Sequence, residues 1–474
     1  MSAVLALSAL SAPAGLAGCA TTSPKEALQD ASKLVKDRSG QEITWLGDGG
    51  EEEARKQASA LLSRELTLPN AVRVSLLANR HVQVLYDEVG IAQADLVQAG
   101  LLKNPTISGD YGFPIDGGGS TFDLGLTTDL LQLLTLSSRK GIARTALAGA
   151  RYRVAGEVLH HIYEVKAAFF ALEAAQQTFA MRQIVTEAAQ AAVELARRQH
   201  VAGTISDLDL ANEESLFAQV GMDQRRSSAD LATAREHLTR VMGVWGKDAG
   251  WKVTAHLPEL PSTEPSLEHL ESKAVAARYD LAAAHKDTEV VSYALALAKN
   301  TRWTGNVDAG VDFHRETEGV RLMGPTVSVE LPIFDQRQAS IARIEAQLRQ
   351  ARNREAALAI DIRSEIRELS QRLVTARGVV EAYQKTIVPT RERIVALSQQ
   401  QYDAMLLGVF QLLIAKQNEI AAYRDFIDAL RDYWSLRAEL EWKVGGSLGA
   451  EPSSSPPVRN TPIQGVEKHD HHPP

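Results

Sequence analysis

From Pro332 to Pro389 the chain runs without an intervening proline, and its apolar residues fall on one stripe. Ile341, Ile344, Leu348, Leu358, Ile362, Ile366, Leu369 and Leu373 recur at spacings of three and four, apart from one gap over Ala351. Arg, Glu and Gln flank them, the signature of one continuous helix with a single buried face. Followed to the turn near Leu407, this arm holds about sixty residues and measures roughly 90 Å at a rise of ~1.5 Å per residue. A compact globular domain has no use for such a length. The arm must lie along something extended.

The same plan occurs twice. Ile107–Phe113 matches Val307–Phe313, and Ile142-Ala-Arg144 recurs as Ile341-Ala-Arg343. The turn from Ala202 to Ala211 recurs, one residue shorter, as Leu407 to Ala415, and the returning helices end in Val241-Met-Gly243 and Lys443-Val-Gly445. A period of about 200 residues exceeds any solenoid unit and predicts a tandem duplication of one supersecondary unit. The first repeat spans 66–257: a leading helix from Leu66 to Gln98, a strand pair at 106–128 and a long helical hairpin at 139–243. The second spans 266–446: a leading helix from Leu267, a strand pair at 304–332 and a hairpin at 335–446. Three prolines mark a linker at 258–265.

Each strand pair alternates apolar and polar residues. Ile107, Tyr111 and Phe113 alternate with Ser108, Asp110 and Gly112, and Val307, Ala309 and Val311 with Asp308, Gly310 and Asp312. Such alternation gives one apolar and one polar face, as in membrane barrels with lipid outside and water inside. Four strands do not close a barrel, and an open edge cannot sit in lipid. The chain therefore either oligomerises to share a barrel or uses its strands as a small soluble sheet. Outside the N-terminal run, no segment reaches the ~18 apolar residues of a membrane-crossing helix.

Residues 1–18 form an apolar, small-residue run of signal-peptide type, although no Lys or Arg precedes it, and Leu16-Ala-Gly-Cys19 has the form of a lipobox. By resemblance to bacterial lipoproteins, the only cysteine of the chain, Cys19, is the acylated (palmitate-bearing) first residue of the mature protein. Residues 19–65 read as a polar spacer behind the anchor, and 447–474 as a disordered tail. A net charge of −8 argues against a nucleic-acid partner.

The lipobox, the paired strands, the long hairpins with glycine turns and the duplication together resemble the TolC family of outer-membrane efflux proteins, its heavy-metal lipoprotein members above all. Asn79-Arg-His-Val82, where the family usually carries Asn-Pro, Val329–Asp335 and Tyr402–Gly445 carry the likeness. The resemblance implies a mainly α fold with a small β part: a homotrimer whose outer-membrane β-barrel, four strands per chain, continues into a long α-helical periplasmic barrel. It also implies a periplasmic adaptor (a membrane fusion protein) and an inner-membrane transporter of RND type as partners, with a Gram-negative outer membrane around the strands. Such a duct conducts passively, without cofactor or catalysis. Consistent with that, the chain has no His-Glu-x-x-His, P-loop or Gly-x-Ser-x-Gly motif.

The resemblance places adaptor docking at Gly203, Thr204, Leu407 and Gly408, residues that a plain helical turn would also explain. It places the periplasmic mouth at Asp207, Asp209 and Gln411, with Asp207 equally read as a helix cap. If the apolar strand faces meet lipid, then Asp110, Asp123, Asp308, Asp312 and Glu330 line the lumen and favour cations. His469, Asp470, His471 and His472 are ligands of the right type for a borderline metal, or an incidental polar terminus. Two rival readings stand beside metal export: the same duct carrying drugs or other small organic molecules, and a lipid-tethered periplasmic coiled-coil scaffold.

Overall fold

The computed structural model describes residues 24–448, apart from 48, 114, 116, 118, 254, 255 and 265. In chain order it has helices α1 (Pro24–Ser39) and α2 (Glu51–Leu62), strand β1 (Glu65–Leu66) and helices α3 (Leu68–Ala78) and α4 (Arg80–Ala99). Strands β2 (Thr106–Gly112) and β3 (Thr121–Asp129) lead into the 72-residue helix α5 (Leu130–Val201) and its return α6 (Asp207–Met242). After β4 (Lys252–Val253) the plan repeats as α7 (Leu270–Ala277), α8 (Tyr279–Asn300), β5 (Val307–Arg315), β6 (Arg321–Val329), α9 (Gln338–Ala382), α10 (Val388–Asp403) and α11 (Val409–Val444). The chain is mainly helical with a small sheet part, as its periodicities predict.

Several expectations need correction. The stretch read as a spacer holds two helices: α1 buries Ala27, Leu28, Ala31 and Val35, and α2 buries Ala54, Ala58 and Leu62. Small residues at helical spacing carry little hydropathy, so the stripe is easily mistaken for polar chain. The long arms also begin elsewhere. Helix α5 starts at Leu130, nine residues before Arg139, because Asp129 accepts the Gln132 backbone N–H at 3.2 Å and caps it. The second arm starts at Gln338 and is not one regular helix. A π turn at Tyr383–Ile387 precedes Pro389. Proline has no N–H to donate and its ring crowds the preceding turn, so the wider turn lets the arm pass it.

The leading helices are each broken. Asn79 (φ −74°, ψ 120°) separates α3 from α4, and Arg278 (φ −70°, ψ 130°) separates α7 from α8. The first break needs no proline after Asn79, because Asn79 has other partners. Its amide donates to the Val241 carbonyl at 2.7 Å and its side-chain oxygen accepts the His81 N–H at 2.8 Å.

By packing, the chain divides into two compact units. The first comprises residues up to Asp37, Gln83–Val158 and Arg278–Asp361. It contains the four-stranded sheet, with order β2-β3-β5-β6 and every pairing antiparallel. Helix α1 is fastened here: Arg151 donates to the Ala27 carbonyl at 3.1 Å and pairs with Asp30 at 2.8 Å, while the Tyr279 hydroxyl donates to the Leu34 carbonyl at 2.8 Å.

The second unit comprises Arg38–Val82, Leu159–Ala277 and the chain from Ile362 onward. Val165, Leu172, Leu238, Met242, Ile362, Ile366, Trp434 and Leu440 form its core, and β1 pairs parallel with β4. The linker at 258–265 is held down in this unit, since Trp434 donates to the Pro258 carbonyl at 2.8 Å and Arg377 to the Pro261 carbonyl at 3.0 Å.

Glu173 lies in that unit with one carboxylate oxygen buried and unbonded, and burial pushes its carboxyl up to about 8. Between its unfolded value and about 8 the folded chain keeps a proton that the unfolded chain releases, so stability falls as pH rises through that window and levels above it. Glu173→Gln should flatten this slope and raise stability at pH 8 by at least about 1 kcal/mol, read from melting curves at pH 5 and 8.

Candidate functional site

The sheet is two-faced by register. Residues directly opposite share a face. One face carries the rows Ile107–Leu126–Val311–Pro325 and Gly109–Leu124–Phe313–Met323, with Tyr111 and Phe122 paired beside them. Many of these side chains are exposed, including Ile107, Leu124, Leu126, Val311 and Met323. Apolar surface of this extent on a sheet face marks a contact with something apolar. The outer edges of β2 and β6 carry no partner strand among the described residues.

The opposite face gathers the carboxylates. Asp110 stands opposite Asp123, and Asp123 opposite His314; Asp312 stands opposite Gly125 and Gly324; Asp129 stands opposite Asp308. Asp110, Asp123, Asp308 and Asp312 are thus brought onto one surface. Glu330 follows the end of β6 and is turned to the backbone, accepting the Asn306 N–H at 3.0 Å.

Two directly opposed acid pairs cost stability, since like charges across a strand pair repel. His314 bonds to Asp123 through Nδ1 and offsets part of that cost. Gly125 leaves room between Ser108 and Asp312, whose oxygens would lie 2.6 and 2.7 Å from a Cβ there. Asp129 and His314 are the members of this surface that sequence reading passed over. Continuing the alternation of Asp308 and Asp312 by one step reaches His314.

The helix turns lie in the second unit. At the first, Gly203 (φ 72°) and Thr204 close the end of α5, their backbone N–H groups donating to His200 and Gln199. Ser206 caps α6 and Asp209 completes a capping box, so Asp207 is not the cap. Asp207 points outward and meets His200 at 2.6 Å.

At the second turn, Met405 (φ 57°) and Leu406 donate to Tyr402 and Gln401 in the same pattern, and Gly408 is the N-cap of α11. The counterpart of Gly203 is therefore Met405, and Gly408 corresponds to Ser206. Matching glycine to glycine misregisters the turn. Leu407 corresponds to Ile205, and Gln411 holds the place of Asp209. Met405 is 95% exposed in a left-handed conformation that L side chains resist. Met405→Gly should raise stability by about 0.5–1 kcal/mol, seen as a higher melting temperature.

Cys19 and the segment His469, Asp470, His471 and His472 lie outside the described residues. Among the described residues, no group of three or more His, Cys, Asp or Glu is arranged to hold a metal ion, and no helix is long and apolar enough to cross a membrane.

No protein-family model matches the chain. It is 23% identical over 392 residues to the cobalt-zinc-cadmium resistance protein CzcC of Cupriavidus metallidurans, covering 78% of this chain and 85% of that one. Among solved structures it superposes on CusC with a TM-score of 0.68 at 14% identity, over 80% of this chain and 92% of that chain. The outer membrane protein VceC of Vibrio cholerae also gives 0.68 at 14%, over 81% and 97%. The outer-membrane channel OprN gives 0.65 at 15%, over 88% and 96%.

Proposed function

We propose that this chain, which has the fold of the TolC-type outer-membrane channels, is the outer-membrane exit duct of a tripartite efflux pump that expels heavy-metal cations. The observation that carries this reading is the sheet: one apolar face, one acidic face and two open edges. A homotrimer would join β6 of one protomer to β2 of the next, leaving no edge in lipid. The apolar face then meets lipid, and Asp110, Asp123, Asp308 and Asp312 face the lumen.

Opposed carboxylates are poor for stability and good for drawing cations into a narrow polar duct. The likeness to a cobalt-zinc-cadmium resistance protein supports the same cargo class. Conduction through such a duct needs no catalysis, and the energy comes from the inner-membrane transporter, of RND type, through a periplasmic adaptor. The turns at Gly203–Thr204 and Met405–Gly408 are the adaptor's docking points, with Met405 and Leu406 as its exposed apolar contacts. Cys19 carries the acyl anchor.

Deletion of the gene tests the whole reading. Zinc, cadmium or copper should accumulate in the deleted strain while dyes and drugs stay at wild-type levels. Accumulation of drugs alone would reassign the cargo, and a protein with no heat-modifiable trimer would return it to the scaffold reading. In planar bilayers, Asp110→Asn with Asp308→Asn should lower the cation-over-anion permeability ratio by roughly two- to fivefold at low salt. Metabolic labelling with palmitate should be lost in Cys19→Ala.

A further inference from the structure

The sheet has two ends, and they differ. The register sets the start of β2, the end of β3, the start of β5 and the end of β6 at one end, where all four strands connect to helices. These connections touch pairwise. Gly100 lies beside Lys140, Arg337 donates to the Thr301 hydroxyl at 2.6 Å, and Arg302 donates to Gln336 at 3.3 Å.

Two kinds of side chain crowd this junction. The first kind is apolar and exposed: Leu102, Leu134, Trp303, Ile333 and Phe334, the last 93% exposed. They flank the strand ends at this end of the sheet. The second kind is basic. Residues 100–105, 129–140, 299–306 and 330–338 hold six cations, Lys103, Arg139, Lys140, Lys299, Arg302 and Arg337, against Asp129, Glu330 and Asp335. Each of those three carboxylates accepts a backbone N–H, at 3.2, 3.0 and 2.8 Å. Lys299 is taken up by Glu345 at 2.7 Å, whereas Lys103 and Lys140 have no ion partner among the described residues. Arg302 lies over the Trp303 ring at 4.8 Å, and its Nε is buried without a hydrogen-bond partner.

We propose that this junction is a binding collar for anionic phospholipid headgroups, with the exposed apolar side chains among the acyl chains and Lys103, Lys140 and Arg302 on the phosphates. The inference rests on the outer-membrane reading and adds a specificity to it. Three arguments select this occupant. The exposed apolar residues adjoin the ends of the strands whose apolar face is assigned to lipid. The excess charge is positive on a chain whose net charge is −8, so it is local rather than general. Arg302 stacked on Trp303 is an amphipathic pair with its ring in the interface and its cation at headgroup level.

The test uses the full acylated trimer extracted in detergent, with bound lipid measured by native mass spectrometry after adding phosphatidylglycerol or phosphatidylcholine. Wild type should retain phosphatidylglycerol roughly tenfold better, and the preference should shrink when salt rises from about 0.1 to about 0.5 M. The triple variant Lys103→Gln, Lys140→Gln, Arg302→Gln should lose that preference while remaining a heat-modifiable trimer. Trp303→Ala should weaken retention of both lipids. Equal retention of the two lipids by wild type, an undiminished preference in the triple variant, or full displacement by millimolar inorganic phosphate would each overturn the collar. If the triple variant fails to assemble, the wild-type headgroup preference and its salt dependence still decide. A wild-type trimer indifferent to headgroup charge sinks this inference alone, whereas a chain that forms no heat-modifiable trimer sinks the membrane reading with it.

Discussion

Gly243→Ala should be the most damaging small substitution in the second unit, costing at least about 3 kcal/mol and preventing recovery of folded protein at 37 °C. Two effects combine. Gly243 closes α6 at φ +73°, a conformation in which a Cβ is strained, and its N–H donates to Arg240 and Thr239 to hold the cap. A Cβ there would also lie 2.4 Å from the Cα of Asn79, a backbone atom at the break between α3 and α4. A flexible side chain moves aside; a backbone held by its own hydrogen bonds does not. Asn79 is held by the Val241 carbonyl, so the clash would press on a contact that fixes α3 against α6.

Gly445, its counterpart in the second repeat, offers an internal control. It has φ +84°, but a Cβ there would meet the Ala277 carbonyl oxygen at 3.1 Å. Gly445→Ala should therefore cost about 1–2 kcal/mol, chiefly for the left-handed backbone. Chemical denaturation of the two variants separates the contributions. Equal losses would show that the backbone conformation, not the approach of Asn79, dominates.

Glu264→Ala is expected to cost about 3 kcal/mol and to release the linker. Glu264 accepts from Arg377 at 2.8 Å and Arg437 at 3.1 Å, and also from the Tyr433 hydroxyl. Burial first, then the bond to Glu264, pushes the Tyr433 phenol up to about 12, so it serves as a neutral donor at physiological pH. Arg437 is 2% exposed. Removing the carboxylate takes an acceptor from both guanidinium groups; Glu381 stays at 2.9 Å from Arg377, and Glu441 at 3.9 Å from Arg437. Amide exchange at 259–264 should accelerate by at least about tenfold, because a strap that loses its charged tie opens locally. Unchanged exchange would assign the strap's order to Trp434 and its bond to Pro258.

Much of this protein is legible in its sequence. The stripe from Ile341 to Leu373 specifies a long helix because burial of a 3.6-residue period admits no other regular structure, and Ile362, Ile366, Leu369 and Leu373 are indeed buried. Alternation in Val307–Phe313 specifies a two-faced strand for the same kind of reason. The duplication predicted that the two halves share one plan, and they do, down to paired helix breaks at Asn79 and Arg278 that no local preference announces.

What sequence reasoning missed depended on partners distant along the chain. Residues 24–39 looked like spacer because alanine at helical spacing becomes a core stripe only when Arg151 and Tyr279 stand against it. Asn79 ends a helix because the Val241 carbonyl, 162 residues away, takes its amide. The turn was misregistered because glycine is the usual left-handed residue, yet Met405 adopts that conformation once the helix-closing hydrogen bonds hold it there.

The acidic face shows the same division. Each carboxylate is visible in its own strand, but that Asp110 faces Asp123 and Asp129 faces Asp308 is a matter of register. By itself the sequence determined the long helices, the strands and their doubling, since those follow from periodicity and local backbone chemistry. Only the tertiary structure decided which charges meet, where helices break and what holds the linker, because each is a pairing between segments that the chain's order does not bring together.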